Sequence, residues 1–454
     1  MVQWQGRYHF MAVGGMGMSA LAKILAQRGI SVSGCDVQPQ FMTKADLSAC
    51  GVTLFTGHDP KHLQDADFVV YSSAIKPDNE EFRAALDVHI PVLHRSEILA
   101  DLLDEGLSVA VTGTHGKSST TAFIAEGLEL LGFDPTFIGG AVVNPLGGNA
   151  KLGSGPVIGE VDESDGSLVR IPASVKVVLN LDDDHLPFYG TMENLAATVH
   201  RFILGRPHSS IAVLNYNDPL LKGMDYSSRR VRWIGFGSPD IRIDALELEG
   251  VSPKICVCYE GKRFTILNDK IFGKHNGLNL AMAFSVLVAM GIDPNSAAKV
   301  LEEVQTPRRR QQILGSLNGT SIMVDIALHP TELKALREVF ESSKQRVLLV
   351  FQPHRYSRYK LLFKDFVEEL SLWSDVVITE IYPSDEPLED TSSYPLYEEI
   401  GSRNKFFYSD KEKLFQDLPD IMSGYDIVLF AGLGSIGNWA EEFYTENSTK
   451  KLVN

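Results

Sequence analysis

The segment 109–121, VAVTGTHGKSSTT, constrains this chain more than any other. Val109, Ala110 and Val111 form an apolar run that reads as a buried strand. The turn Gly113-Thr114-His115-Gly116 interrupts it, and Lys117-Ser118 opens a helix that continues through Ala122, Phe123, Ile124 and Ala125. A buried strand that runs through a glycine turn into a helix is the unit of open α/β sheets. It is also a phosphate cradle, because backbone N–H groups and the helix N-terminus face the anion. A lysine here can reach the β- and γ-phosphates, and a hydroxyl beside it can hold Mg²⁺. The usual first glycine, six residues before Lys117, is Val111. The motif is therefore incomplete, and an ordinary strand–turn–helix corner competes with the phosphate reading.

The same alternation recurs along the chain. A strand over 8–13 leads into Gly14-Gly15-Met16-Gly17, a helix over 18–27, and a second strand over 30–35 that ends at Asp36. Further alternation, including a strand over 68–71, runs to about residue 103 and is Rossmann-like. A second unit starts with the phosphate-loop strand. It has strands over 157–161, 175–179 and 211–214, a β-rich stretch over 231–267, and a helix over 278–290. Thr306-Pro307 followed by Arg308-Arg309-Arg310 reads as a linker. In a third unit, strands over 321–325, 347–351, 376–381 and 427–430 alternate with helices, one of them opening at Pro330. The expected fold class is α/β with three domains. These are a Rossmann-like N-terminal domain (1–104), a P-loop-type central ATPase domain (105–307) and a Rossmann-like C-terminal domain (308–454). The polar tail 447–454 is expected to fray.

Composition narrows the function classes. A net charge of −16 argues against a broad nucleic-acid surface. An anionic ligand must then be held by helix N-termini, a few basic side chains and a metal. No apolar run approaches the roughly 18 residues of a membrane span, and MVQWQGRYHF lacks a signal-peptide pattern. The four cysteines, Cys35, Cys50, Cys256 and Cys258, form no CxxC pair. Cys256 and Cys258 are assigned to alternate faces of one strand, without a metal role. Free thiols fit a reducing cytoplasm.

Five constellations carry chemistry. The first is the glycine loop 14–17 with Asp36 at the end of the next strand; a dinucleotide, another diphosphate ligand and a structural turn all fit it. Glu160, Asp162, Glu163 and Asp165 follow an apolar strand, where carboxylates beside a phosphate loop hold Mg²⁺; a solvated acidic loop competes. Asn180, Asp182, Asp183, Asp184 and His185 end another strand and offer a metal ligand or a general base. His275-Asn276-Gly277-Leu278-Asn279 offers either helix caps or groups for an adenine edge. The last constellation is basic: Arg308–Arg310, then Phe351-Gln352-Pro353-His354-Arg355-Tyr356-Ser357-Arg358. Arg355 and Arg358 are placed on one helix face, suited to a carboxylate or phosphate; a solvated arginine pair competes. The residues alone describe an ATP-using enzyme whose closure excludes water.

Together these motifs resemble the Mur ligases of peptidoglycan synthesis, and among them the alanine-adding branch. The family's GGxGMS stands here as Gly14 to Ser19, and its SSAI as Ser72-Ser73-Ala74-Ile75. GTHGK is Gly113 to Lys117, and EADESD is Glu160 to Asp165. HNxLN is His275 to Asn279, and FQPHR is Phe351 to Arg355. The resemblance covers nearly the whole chain. It implies a cytoplasmic, ATP-dependent ligase of cell-wall synthesis, a monomer or weak homodimer with no nucleic-acid or membrane partner. ATP would phosphorylate the carboxylate of UDP-N-acetylmuramate, and the amine of L-alanine would displace phosphate from the acyl phosphate.

The resemblance also implies roles. Lys117, Glu160, His185, His354 and Arg355 would be catalytic. Gly113, Thr114, His115, Gly116, Lys117, Ser118 and Ser119 would hold the ATP phosphates, with Asn276, Asn279, Arg310 and Asp325 about the nucleotide. Ser118, Glu160 and His185 would ligate Mg²⁺, or Mn²⁺ in its place. Gly15, Met16, Gly17, Met18, Ser19, Asp36, Ser72, Ser73, Ser164 and Asp165 would hold the UDP-sugar, so the first glycine loop would take UDP rather than NAD. His329, His354, Arg355 and Arg358 would hold the amino acid. Some family members carry a carbamoylated lysine beyond the metal histidine. This chain has no lysine between Lys176 and Lys222, as in the alanine-adding branch.

The chain departs from the family pattern at Ala12, Ser118, Tyr359 and Ser384-Asp385-Glu386, and most in one segment. DDYxHHPTE is Val324-Asp325-Ile326-Ala327-Leu328-His329-Pro330-Thr331-Glu332, so Val324, Ile326 and Leu328 replace an acid, a tyrosine and a histidine. That change motivates a competing reading: a nucleotide-binding homologue with altered amino-acid choice or lost ligation, acting as a sensor or scaffold. A recycling ligase that adds a whole tripeptide competes too, as does an NAD-dependent enzyme.

Overall fold

The computed structural model describes residues 4–38, 42–184, 186–341, 345–384 and 386–449. His185 lies outside the described residues, as does the end of the tail, 450–454. The last helix, Ile436–Thr449, continues into the stretch expected to fray.

The first sheet is built from five parallel strands in the spatial order Thr53–Thr56, Ser31–Asp36, Arg7–Met11, Phe68–Tyr71, Val92–His94. The chain leaves the central strand Arg7–Met11 toward one edge and later returns to its other side. The reversal opens a crevice at the carboxyl ends of the strands, and the glycine loop lies there. Helix Met16–Gln27 starts two residues before the expected 18, with Gly15 as an extended N-cap.

The second sheet has ten strands. Its centre is Ser108–Thr112, buried along its whole length, between Val157–Glu160 and Val175–Val178. All three are parallel, with Val111 opposite Glu160 and Thr112 opposite Val178. Their carboxyl ends therefore stop at nearly one level. Strands Arg230–Gly235, Ile241–Glu249, Ser252–Tyr259 and Lys262–Leu267 extend the sheet beyond Ile211–Asn215. Cys256 and Cys258 share a face of Ser252–Tyr259, both half-buried, while Ile255 and Val257 are fully buried on the other. The assignment to alternate faces is corrected: side chains alternate at every residue, so positions two apart point the same way. The helix expected at 278–290 starts at Lys274 and ends at Ala289. Asn276 consequently lies inside its first turn rather than capping it.

The third sheet runs Gln312–Leu317, Thr320–Asp325, Ile427–Ala431, Val347–Phe351, Asp375–Thr379, Asn404–Tyr408. Gln312–Leu317 is antiparallel to its neighbour and the other pairings are parallel. Along Thr320–Asp325, Ile322 and Val324 enter one apolar layer and Met323 the other.

By contacts the chain forms two compact units. One comprises Met1–Glu247, Lys254–Lys270 and Asn276–Pro307, and the other Leu248–Pro253, Ile271–His275 and Arg308–Asn454. In the first unit a single apolar core joins the first two sheets: Leu21 and Leu25 of helix Met16–Gln27 share it with Ile138, Ala150 and Val157. Among the described residues no helix is long and apolar enough to cross a membrane.

Helix Lys117–Leu130 is anchored by Phe123, which is fully buried. Phe123→Ala should lower unfolding free energy by about 3–5 kcal/mol, read as a lower midpoint in urea at unchanged slope. A change below about 1 kcal/mol would show that the helix is not held by this side chain.

Candidate functional site

The aligned strand ends gather three loops. Strand Ser108–Thr112 passes into Gly113 at φ 130° and reaches Gly116, the helix N-cap, at φ 84°. Both values fall where L side chains are strained. A Cβ on Gly113 would lie 3.0 Å from the Leu179 backbone N, and one on Gly116 would lie 2.5 Å from Asn279 Oδ1. The loop is pinned to the segment after Val175–Val178. Thr114 N donates to Asn180 O at 3.1 Å and His115 N to Asn180 Oδ1 at 2.8 Å. Asn180 Nδ2 returns a bond to His115 O at 3.0 Å, and His115 Nε2 lies 2.9 Å from Asp182 Oδ2. Asn279 Nδ2 donates to Asn276 Oδ1 at 3.2 Å, so the helix start expected near a nucleotide adjoins the loop.

Lys117 and Ser118 begin the helix under this turn. Lys117 Nζ donates to Gly113 O at 2.7 Å, Thr114 O at 3.2 Å and Glu163 Oε1 at 3.0 Å. Burial acts to lower its pKa, but the charges of Glu163, Asp162 and Glu160 outweigh burial and hold it above the ordinary lysine value. The result is a fixed, permanently charged ammonium at a helix N-terminus. Ser118 Oγ donates to Glu160 Oε1 at 3.2 Å, and Glu160 Oε2 accepts from Gly140 N at 2.8 Å. A hydroxyl and a carboxylate oxygen side by side suit a hard cation such as Mg²⁺. Ser119 is buried in the same turn. Tyr189 OH donates to the Glu163 carbonyl, fixing the acidic loop from behind.

The first glycine loop meets that acidic loop. Gly14 N donates to Asp36 Oδ2 and Gln38 N to Asp36 Oδ1, both at 2.9 Å, so Asp36 braces the turn. Met18 lies in the apolar core and Ser19 Oγ bonds to Met16 O, so the loop presents mainly the backbone around Gly15, Met16 and Gly17. Asn149 Nδ2 reaches Met16 O at 2.8 Å and Ser19 Oγ at 2.9 Å, and Lys23 Nζ reaches Gly147 O at 2.9 Å. Ser73 Oγ donates to Asp165 Oδ2 at 2.6 Å, and Ser164 N to Asp162 Oδ1 at 3.0 Å. Burial acts to raise Asp165, but hydrogen bonds from Ser167 and Ser73 and the Arg95 charge bring it below the ordinary carboxylate value. No motif in the sequence singles out Arg95. Its Nη2 is 2.8 Å from Asp162 Oδ2 and 3.6 Å from Asp165 Oδ2, and its Nη1 lies 3.5 Å from where a Cβ on Gly17 would stand. His94, 3.5 Å from Asp165, is equally unmarked in the sequence. Ser72 is half-buried beside exposed Ser73.

In the second unit Asp325 ends strand Thr320–Asp325. It accepts from Gln311 N at 2.8 Å and Ala327 N at 2.7 Å. Burial raises its pKa to about 6 against the pull of Arg310. His275 lies 3.1 Å from Gln311 Nε2, and burial, helped by Arg310, lowers its pKa to about 4. His329 is buried, and its Nδ1 accepts from Thr331 N at 3.2 Å at the start of helix Pro330–Glu341. His354 is buried, stacked on Tyr382, with Nδ1 3.1 Å from Arg358 Nη1. Arg355 is not on the helix face expected for it. It is the N-cap of Tyr356–Leu361 at φ 68°, held by its N–H to Tyr382 O at 2.8 Å. A helical spacing rule does not apply to a residue outside helical geometry.

Three family models match the chain. Residues 7–106 match "Mur ligase family, catalytic domain", residues 111–287 "Mur ligase middle domain", and residues 309–434 "Mur ligase, glutamate ligase domain". Over 453 residues the chain is 38% identical to the UDP-N-acetylmuramate–L-alanine ligase of Aquifex aeolicus, with 98% of each chain covered. The enzyme of that name from Dictyoglomus turgidum is 36% identical, with 95% of this chain and 94% of that one covered. The solved UDP-N-acetylmuramate-alanine ligase MurC of Thermotoga maritima matches at a TM-score of 0.84 and 25% identity, covering 98% of this chain and all of that one. A MurF ligase from the same organism, solved with ADP, shares the fold at a TM-score of 0.64 and 18% identity.

Asp325 and His275 set a pH test. The folded carboxyl holds its proton to about 6, against an ordinary 3.8. The folded state therefore binds more protons between these values, and this group's contribution falls as pH rises through them. His275 is lowered from 6.5 to about 4, so its contribution rises over nearly the same window. Asp325→Asn removes only the falling component. Between about pH 4 and about pH 7 the variant should gain on the parent by up to about 3 kcal/mol, measured by urea unfolding at each pH. A difference that stays flat with pH would contradict this assignment.

Proposed function

Because the chain belongs to the Mur ligase family, we propose that it joins L-alanine to the carboxylate of UDP-N-acetylmuramate, converting ATP to ADP and phosphate. The observation that carries this reading is the Lys117 cradle: a half-buried ammonium fixed between two loop carbonyls and Glu163, at a helix N-terminus beside Ser118 and Glu160. Such a site neutralises charge that moves during phosphoryl transfer and needs no reorganisation to do so.

The chemistry runs in two displacements. A muramyl carboxylate oxygen attacks the γ-phosphorus, and the bond to ADP breaks as the acyl phosphate forms. The alanine amine then attacks the acyl carbon, the carbon–oxygen bond to phosphate breaks, and the amine loses a proton as the amide forms. In this reading Lys117 faces the transferring phosphoryl group, and Gly113 to Ser119 cradle the phosphates. Ser118 and Glu160, with His185 assigned by resemblance, would hold Mg²⁺, whose chemistry is charge neutralisation on the phosphate oxygens. Asn276 and Asn279 flank the adenine, and Arg310 and Asp325 approach the nucleotide. Gly15 to Ser19, Asp36, Ser72, Ser73, Ser164 and Asp165 serve the UDP-sugar, with Arg95 added to them. His329, His354, Arg355 and Arg358 serve the amino acid. Of the divisions expected at 104/105 and 307/308, the second falls in the gap between the matched family segments, while the first lies just inside the segment 7–106. Free cysteines and ATP chemistry fit a cytoplasmic setting.

Of the three departing positions, Val324 weighs little against ligation. Val324 packs with Leu348, Val350 and Phe430 in an apolar layer, while Asp325 is retained.

The test supplies purified protein with UDP-N-acetylmuramate, Mg-ATP and, separately, L-alanine, glycine, L-serine and the tripeptide, and follows phosphate release. Release with L-alanine is expected, and Lys117→Ala should reduce kcat by at least about 100-fold. Release only with tripeptide, or binding of both nucleotides without release, would overturn the proposal. In the same assay Arg95→Ala should raise the KM for the sugar nucleotide about tenfold or more while leaving the KM for ATP near the parent value, a loss of roughly 1.4 kcal/mol.

A further inference from the structure

Behind the first glycine loop four side chains from four elements converge. They are His9 from strand Arg7–Met11, Cys35 from strand Ser31–Asp36, His62 from the 3₁₀ turn Pro60–Leu63, and Glu81 from helix Glu80–Asp87. One ligand-type atom of each lies within 4.8 Å of all the others. His9, Cys35 and Glu81 are fully buried. Glu81 Oε1 lies 2.9 Å from His9 Nε2 and 3.1 Å from His62 Nδ1. Its Oε2 lies 3.0 Å from Cys35 Sγ and 3.0 Å from His58 Nδ1.

One carboxylate thus faces three imidazoles and a thiol. His9 Nδ1 lies 2.8 Å from Ser33 Oγ. If that nitrogen carries the proton and donates it to the hydroxyl, Nε2 presents a lone pair to a carboxylate oxygen. The contact is then repulsive unless a proton or a cation stands between them. Buried Nε2 makes no aligned hydrogen bond, although the oxygen is so near. The donors are two imidazole nitrogens, a sulfur and one carboxylate oxygen, a set that suits Zn²⁺ and not Mg²⁺. Ligand atoms on one tetrahedral zinc stand about 3.4 Å apart, so small side-chain shifts would complete the shell. His58 and His62 retain side-chain exposures of 16% and 12%, which leaves an entry edge.

We propose that His9 Nε2, Cys35 Sγ, His62 Nδ1 and Glu81 Oε1 form a structural zinc site, with Ser33 orienting His9 and His58 orienting Glu81. Such second-layer bonds are what fix ligand geometry in zinc proteins. The site lies apart from the phosphate loop and does not depend on the ligase reading. Its position gives it a task. Cys35 O accepts from Val13 N at 2.9 Å, and the next residue, Asp36, holds Gly14 N. A cation there would brace the strand end from which the glycine loop hangs.

The test uses full-length, chelator-stripped protein in excess Mg²⁺, titrated with Co²⁺ and then Zn²⁺. One equivalent of Co²⁺ should produce tetrahedral visible bands and a thiolate-to-cobalt absorption in the near ultraviolet, both displaced by one equivalent of Zn²⁺. Cys35→Ser should abolish the thiolate band and weaken Zn²⁺ binding at least tenfold. His62→Ala, at the open edge, gives a second variant should Cys35→Ser fail to fold, and it should lose the thermal stabilisation that Zn²⁺ confers on the parent. Absence of the thiolate band in the parent, its persistence in Cys35→Ser, or full Zn²⁺ affinity in His62→Ala would overturn the proposal. The cluster would then be a carboxylate hub held by hydrogen bonds alone.

Discussion

Parallel strands that end at one level place Gly113, Glu160 and the segment after Val178 beside each other, and the rest of the candidate site depends on that register. A slip of one residue between Ser108–Thr112 and Val157–Glu160 would turn Glu160 to the other sheet face and part it from Ser118. The register is held by full burial of the central strand, whose five residues are inaccessible on both faces. A parallel sheet between helices has no solvent face on which a shifted strand could hide.

The electrostatics follow from this placement. The chain carries 58 acidic residues against 42 basic ones, and at the candidate site the cations are fixed among acids. Lys117 has Glu163 and Arg95 has Asp162. Such pairs orient each cation before any ligand arrives. In the second unit the arrangement differs. Asp325 and His275 lie near Arg310, and burial biases both toward their neutral forms.

Much of this is legible in the sequence because glycine, lysine and apolar runs act locally. The phosphate loop, the strands on each side of it and the acidic segment can be read from adjacent residues. Arg95 cannot, because its meaning depends on Asp162, 67 positions away. Sequence places the start of helix Lys274–Ala289 too late because an asparagine suits both a cap and a first turn. Spacing puts Arg355 on a helix face because spacing carries no record of a positive φ. The His9, Cys35, His62 and Glu81 cluster leaves no spacing motif, since its members are joined only by the sheet order of the first domain. Val324 shows the converse case. Strand alternation sets it opposite Asp325, so its change from the family pattern falls on the apolar side.

The shared core of the first unit bears on how the chain can be dissected. Helix Met16–Gln27 packs on strands Thr136–Val143 and Gly148–Lys151, and Leu21, Leu25, Leu99 and Leu103 are buried in one cluster with Ile138 and Val157. A fragment cut at residue 104 would keep its own sheet but bare these leucines together as a contiguous oily face. The first sheet with its glycine loop is therefore not a detachable module. Ribosomal synthesis must deliver residues beyond 157 before the first hundred can bury their surface, and until then the nascent chain presents a face that invites chaperones or self-association.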